Sequence, residues 1–484
     1  MTDHQSDTQP VFRRVSLEAE DEGLAGPPRF LLFGCIFLFV LVIAGGIGGL
    51  LVFRDALRPS QQQRVLEQLP FMRAFMKATP AGGTLPTVDP ALANSDAANA
   101  LLSMPVTLAT ATTNAAVLVP ATPTVVPLTP TPVPVTSTSE AVVTATSLPV
   151  TVTTVPTQAA QNPAQTVADA LPSAERIIGF KHNQQTWNNC GPATMTMAMS
   201  YFGWTRDQEY AKDLLRPNRE DKNVSPAELV RFVNEQSQLR AVARVGGDLD
   251  LLKSLIAYKF PVIIERGAMF EAYDWVGHYQ LLVAYDDIQR NFYAFDSFMG
   301  TGAAELGVQE SYQSLDADWR AFNRTFIVVY NPADEAVLQM LLGERWNEQP
   351  SAQLAFDVAQ SEARTNRQDG FAWFNMGTSL TLLGRYSEAA RAFDQARQLE
   401  LPWRMLWYQF GPFEAYYQTQ RFDDVLSLAQ GNLNNSAELE ESYYWMGRVY
   451  QAQGDNARAA SEYQRALNYN STFQPARDAL DTLS

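Results

Sequence analysis

From Ala97 to Ala168 the chain carries one charged residue, Glu140, in 72 positions dominated by threonine, proline, valine and alanine. Prolines such as those in Thr122-Pro-Thr-Val-Val-Pro127 and Leu128-Thr-Pro-Thr-Pro-Val-Pro134 fix φ and remove backbone donors. A stable helix or a central strand is therefore excluded. The composition suits an extended polyproline-like stalk, and 72 residues of it could reach on the order of 200 Å. Residues 55–171 are accordingly expected to be a mostly disordered Thr/Pro/Ala/Val-rich stalk, so a packed core must form elsewhere.

Upstream of it, Phe30 to Phe53 is an uncharged apolar run between Arg29 and Arg54. As a helix its 24 residues span about 36 Å, enough for a bilayer core with some tilt. The run is too long for a signal-peptide apolar region and lacks a small-x-small cleavage pattern. Residues 29–54 are expected to be one uncleaved transmembrane helix, with Gly45 and Gly49 as a GxxxG pair. Residues 1–28 are polar and acidic and read as a disordered tail. Arg13, Arg14 and Arg29 precede the run, and Arg54, Arg58 and Arg64 follow it, so charge does not orient the helix. The uncharged Thr/Pro segment favours a single-pass cell-membrane protein with its folded domains extracytoplasmic. A plain linker on either side of the membrane is the alternative.

With 36 basic and 52 acidic residues the net charge is −16, which argues against a nucleic-acid partner. Two cysteines exclude a disulfide-built fold and a cysteine-rich metal site; three histidines argue against histidine-bound zinc. No metal or other cofactor is expected. Cys35 lies in the apolar run and His4 in the tail, which leaves Cys190, His182 and His278 for chemistry.

Residues 172–332 have globular composition. In Asn188-Asn-Cys-Gly-Pro-Ala193, Asn189 suits an N-cap and Pro192 a first helical turn, with Gly203 closing the helix. Cys190 then sits at a helix N-terminus, where the dipole and free N–H groups favour a thiolate. Phe260 to Glu265 reads as a buried strand whose end, Glu265-Arg266, is expected to be solvated. His278 to Tyr285 and Asn291 to Asp296 read as a hairpin centred near Asp287, which sets His278 opposite Asp296. A carboxylate there would fix the imidazole tautomer and stabilise imidazolium. His182, near the site but without a partner pattern, is read as structural. Trp187 either lines the cleft or packs.

The string Gln-x-x-Asn-Asn-Cys190-Gly-Pro-Ala, followed by the His278-Tyr strand and Asp296, resembles papain-like cysteine peptidases of the bacteriocin-processing (double-glycine leader) type. The resemblance covers about 160 residues and implies an α+β papain-like fold. It implies Cys190 as nucleophile, His278 as general base and then acid, and Asp296 as orienting carboxylate. It also implies an upstream glutamine that shares the oxyanion hole with the Cys190 N–H. Gln185 fits the family string; Gln184 has the six-residue offset of papain-like enzymes. No Gly-rich lysine loop is present, so a transporter-ATPase role is not implied.

Residues 333–484 read as helical repeats. Trp373, Gly377, Ala389 and Phe393 recur 70 residues on as Tyr443, Gly447, Ala459 and Tyr463, and resemble tetratricopeptide repeats. Trp403 to Asn434 reads as a degenerate copy. The resemblance implies an all-α solenoid with a groove for a protein partner or peptide; the plainer reading is a cap on the peptidase domain. The chain is thus expected to be a membrane-anchored, thiol-dependent enzyme that hydrolyses or transfers peptide bonds of a peptide or protein substrate. A catalytically inactive scaffold that binds envelope proteins or peptides is the alternative. Only Tyr330-Asn-Pro-Ala-Asp334 separates the two folded parts. With Trp403, Trp407, Tyr408 and Phe410 in excess of what short repeats bury, the parts are expected to pack directly together.

Overall fold

The computed structural model describes residues 171–218, 221–269 and 274–483, with 85–89, 92–93 and 95–105 and short pieces at 45–46, 48–53, 65 and 69–75. The chain divides into two units, 1–57 with 64–77 and 58–63 with 78–484. The first unit shows helical pieces, including a 3-10 segment Pro70–Phe75. Most of the apolar run Phe30–Phe53 lies outside the described residues, as do the tail 1–28 and residues 106–170. Among the described residues no helix is long and apolar enough to cross a membrane.

The second unit begins with helix α1 (Ser95–Ser103) and strand β1 (Ala174–Arg176). Helices α2 (Cys190–Ser200), α3 (Gln208–Leu215) and α4 (Pro226–Gln236) follow, then β2 (Arg240–Arg244) and α5 (Leu249–Ala257). Next come β3 (Val262–Met269), β4 (Trp275–Asp286), β5 (Asn291–Asp296), β6 (Val308–Ser311), α6 (Tyr312–Trp319) and β7 (Phe326–Tyr330). The strands form one antiparallel sheet in the order β2-β7-β3-β4-β5-β6, with β1 paired to β4. Alternation along the strands divides the core. Val262, Ile264 and Leu282 meet α5 and α6 on one face, and Ile263, Leu281 and Val283 meet α2, α3 and α4 on the other. Local signals agree with this: Ser225 and Glu228 form a reciprocal capping box at α4 behind Pro226.

The remaining helices are α7 (Glu335–Leu342), α8 (Glu348–Thr365), α9 (Gly370–Leu382), α10 (Tyr386–Arg397), α11 (Gly411–Gln418), α12 (Phe422–Asn435), α13 (Glu440–Ala452), α14 (Asn456–Tyr469) and α15 (Gln474–Asp481). The pairs α9/α10 and α13/α14 use the same device. A Cβ on Gly377 would lie 2.6 Å from the Phe393 ring, and one on Gly447 2.5 Å from the Tyr463 ring. Glycine is required at both positions because the partner aromatic occupies the space.

Two boundaries differ from the sequence reading. Helix α7 was grouped with the repeats, yet Leu338 and Leu342 are buried in the core of the sheet domain. The stalk assignment 55–171 also fails in part. Leu85, Ala98, Leu101 and Leu102 are buried against the repeats. Arg397 donates to Pro86 O at 2.8 Å, and Gln360 to Leu101 O at 2.8 Å. The sequence signal was present but faint: Ala98, Leu101 and Leu102 share one face of a short helix at the edge of a low-complexity stretch.

The two modules pack directly. Trp275 and Phe322 of the sheet domain belong to the same apolar cluster as the repeat helices, stacked with centroids 5.7 Å apart. Tyr408 meets both edge-on, at 6.3 and 5.9 Å. Such pairs contribute about 0.5–1.5 kcal/mol each beyond buried area. Polar bonds add direction: Trp403 Nε1 donates to Asp274 Oδ2 (3.0 Å), Asn323 Nδ2 to Ser379 Oγ (2.9 Å), and Asn375 Nδ2 to Arg320 O (2.7 Å).

Candidate active site

Helix α2 begins at Cys190, the position where dipole and N–H groups favour a thiolate. Asn189 was expected to cap this helix and does not. Its side chain is used elsewhere: Nδ2 donates to Gln208 Oε1 at 2.7 Å, and Oδ1 accepts from Arg216 Nη1 at 3.2 Å. The first-turn N–H groups are thus not consumed by the cap.

Cys190 is half-buried and lies close enough to the buried His278 ring for that ring to lower its pKa. His278 Nε2 lies 3.0 Å from both carboxylate oxygens of Asp296, which leaves Nδ1 as the nitrogen for the thiol. The register differs from the simplest hairpin. Asp296 pairs with Gln280: the hairpin is centred near residues 288–289, past Asp287, and a bulge between Leu282 and Ala284 shifts the register by one position. His278 therefore reaches Asp296 diagonally, a distance that long side chains span.

Asp296 is held on all sides. It accepts from Gln280 Nε2 (2.7 Å) and from the backbone N–H groups of Phe298 (2.7 Å) and Met299 (2.8 Å). Gln280 in turn accepts from Arg266 Nη1 at 2.8 Å, and Arg266 is ion-paired with Glu310 and Asp318. Arg266 was expected at a solvated strand end; β3 instead continues to Met269, and Arg266 is buried. Gln280 was legible, since it lies two residues beyond His278 and so on the same face of β4.

The electrostatics follow from this packing. Burial opposes a charged His278 ring, but the Asp296 carboxylate and the Cys190 thiol outweigh it and raise its pKa to about 10. Burial opposes ionisation of Cys190 too; its bond to His278 and the charge of that ring bring the thiol below its ordinary value. Burial likewise opposes ionisation of Asp296, yet His278 holds that carboxyl well below the usual carboxylate range. The pair is therefore poised as thiolate and imidazolium.

The upstream glutamines differ. Gln185 is buried, with Oε1 accepting from Ser297 Oγ and its N–H donating to Ser297 O, both at 2.8 Å. Gln184 Nε2 donates to Phe298 O at 2.8 Å. His182 Nε2 lies 2.9 Å from the Asp296 carbonyl oxygen and so sits beside the site without entering it. Glu265 also departs from expectation. It is buried, bonded to Tyr279, and raised by burial to about 8. Among the described residues no group of three or more His, Cys, Asp or Glu side chains is arranged to hold a metal ion.

Residues 177–326 match a family model described as "Peptidase_C39 like family", and residues 440–473 match one described as a tetratricopeptide repeat. The chain joins a C39-like peptidase domain to tetratricopeptide repeats. No curated protein sequence matches it.

Three solved structures are similar to parts of it. A putative C39-like peptidase from Bacillus anthracis is 16% identical, covering 32% of this chain and 96% of that one, with a TM-score of 0.27. Xylellain, a cysteine protease from Xylella fastidiosa, is 14% identical over 35% and 90%, with a TM-score of 0.27. MamA is 13% identical over 28% and 77%, with a TM-score of 0.25. At these scores the likenesses carry no argument about activity.

Proposed function

We propose that the protein is a cysteine peptidase in which Cys190, His278 and Asp296 form the catalytic set. The observation that supports this most directly is His278, set beside the Cys190 thiol and with Nε2 3.0 Å from both oxygens of Asp296. The thiolate sulfur attacks the peptide carbonyl carbon, and the C=O electron pair moves to oxygen. The Cys190 N–H and the Gln185 amide receive that oxygen. Ser297 holds Gln185 by its Oε1, so the NH2 end is the one directed at substrate. On collapse of the intermediate, imidazolium gives its proton to the leaving amine and a thioester remains. His278 then takes a proton from water, which hydrolyses the thioester; an amine acceptor in place of water gives transfer.

The repeats form part of the same body in this reading. They set Tyr408 against the strand that carries His278 and leave their outer surface for a protein partner. The apolar run Phe30–Phe53 anchors the chain in the cell membrane, and its uncharged Thr/Pro segment supports placing the folded modules outside.

An epoxide or iodoacetamide probe applied to the full chain tests the activity. Labelling at neutral pH that requires Cys190 and drops on His278→Ala is expected, together with hydrolysis of an unfolded protein substrate. Labelling that is indifferent to His278 rejects the reading in favour of an inert scaffold. Protease added to intact cells tests the placement: release of a fragment containing the repeats is expected, and protection until lysis rejects it.

A further inference from the structure

Cys190 is delivered by a stretch, residues 183–189, that has no helix or strand of its own. It carries Gln185 and contains Asn188 at φ 52. Such a stretch has no ladder to hold it, so its polar groups must be satisfied one by one.

One side chain does most of this. Gln208 Oε1 accepts from the Thr186 N–H at 2.8 Å and from Asn189 Nδ2 at 2.7 Å. Its Nε2 donates to Asn183 Oδ1 at 2.7 Å and to Gln184 O at 2.6 Å. A glutamine amide has two donors and about two acceptor sites, and here all four are used on one seven-residue stretch. Only 5% of Gln208 is exposed, so water cannot substitute for any of these bonds. The amide orientation is also unambiguous, because a flip would set donors against donors.

Gln208 itself has a firm base. It is the first residue of α3, whose N-cap Asp207 accepts from the N–H groups of Glu209 and Tyr210. Arg216, just past the other end of α3, bonds Trp187 O and Asn189 Oδ1, both at 3.2 Å.

We propose that Gln208 is a positioning residue for the peptidase reaction, fixing the stretch that sets Gln185 and the Cys190 N–H around the substrate oxygen. This rests on the proposed peptidase activity. The side-chain bonds of Gln208 go to Asn183, Gln184, Thr186 and Asn189, so it acts on the oxyanion site and leaves the thiolate–imidazolium pair alone.

Two probes on the full chain separate those effects. Iodoacetamide alkylates the thiolate and needs no oxyanion site. A peptide aldehyde takes the sulfur at its carbonyl carbon, and the resulting oxygen, which accepts the proton, occupies the oxyanion position. Gln208→Glu retains the two acceptor contacts and loses both donor contacts; Gln208→Met loses all four. Aldehyde affinity is expected to fall on the order of 10- to 100-fold, more for Met than for Glu, while the alkylation rate stays within about twofold. Lower pH protonates the new carboxyl and is expected to restore part of the aldehyde affinity in Gln208→Glu. Should either variant fail to fold, Asn183→Ala, at a half-buried position, removes one of the four contacts and is expected to show a smaller loss in the same direction. Aldehyde affinity unchanged in the folded variants, or both probes falling together, overturns the proposal. Wild-type protein inert to both probes instead rejects the peptidase reading itself.

Discussion

The Tyr408 ring, carried by the repeat region, lies over Gly277, the residue before His278. A Cβ at Gly277 would stand 3.1 Å from that ring and 2.8 Å from Phe322 Cζ. Gly277→Ala is therefore expected to push the interface and the His278 strand apart. Overpacking of this kind costs about 1–3 kcal/mol. Activity is expected to fall more than stability, because the displaced strand carries the general base. Thermal melts and peptidase rates on the same preparation check this; a variant with wild-type rates would mean that Tyr408 does not constrain the site.

The thiolate–imidazolium pair has a defined pH signature. The thiol is lowered and His278 raised to about 10, so the ion pair persists between those limits. Alkylation of Cys190 is expected to set in below the ordinary thiol range near 8.5. In His278→Ala the main opposing influence is lost, burial remains, and reactivity is expected only on the alkaline side of that value. Rates measured from pH 5 to 10 decide the matter.

Three acids meet where the modules join. Asp221 comes from the sheet domain and Glu440 and Glu441 from α13; all are buried, and Asn223 Nδ2 donates to Glu441 Oε1 at 2.9 Å. Burial raises all three, Asp221 to about 7 and Glu441 to about 8. They bind protons in the folded state that the unfolded chain has already released above about pH 4. Their contribution is thus fully present below that range and is lost as pH rises through about 7 and 8. Glu265, raised to about 8, acts in the same direction. The melting temperature of the full chain is expected to fall between pH 6 and 9, by an amount corresponding to a few kcal/mol. Glu441→Gln, which keeps the Asn223 bond, is expected to flatten the decline.

Gly377→Ala and Gly447→Ala each place a methyl group inside a partner ring. Each is expected to lower stability by about 1–3 kcal/mol without changing the alkylation rate of Cys190. Urea melts of the two variants should shift alike, since the clash with Phe393 repeats as the clash with Tyr463.

Much of this was legible in the sequence because it is local. Cys190 at a helix start follows from Cys-Gly-Pro, and the His278/Asp296 neighbourhood follows from hairpin arithmetic, even though the turn lies one to two residues later than Asp287. The repeat glycines follow from a 70-residue recurrence. What sequence reasoning missed is non-local. Gln208 and Arg216 reach back across 19 to 29 residues, and no periodicity marks a helix that serves a loop. Glu265 and Arg266 looked like a strand end because charge usually marks solvent; here the strand continues and tertiary partners absorb both. Tyr408 comes from more than a hundred residues downstream of the strand it covers.

The docking of Leu85–Met104 onto the repeats changes what the Thr/Pro segment can be. Its two ends belong to the same folded unit, one on α8 and α10 and the other entering β1. The segment therefore joins two points of one folded unit. Under the proposed anchoring through Phe30–Phe53, the connection to the folded unit is the 31 residues from 54 to 84, at most about 110 Å when fully extended. Under that same proposal, lengthening or shortening the Thr/Pro segment is expected to leave the reach of Cys190 from its anchor unaltered.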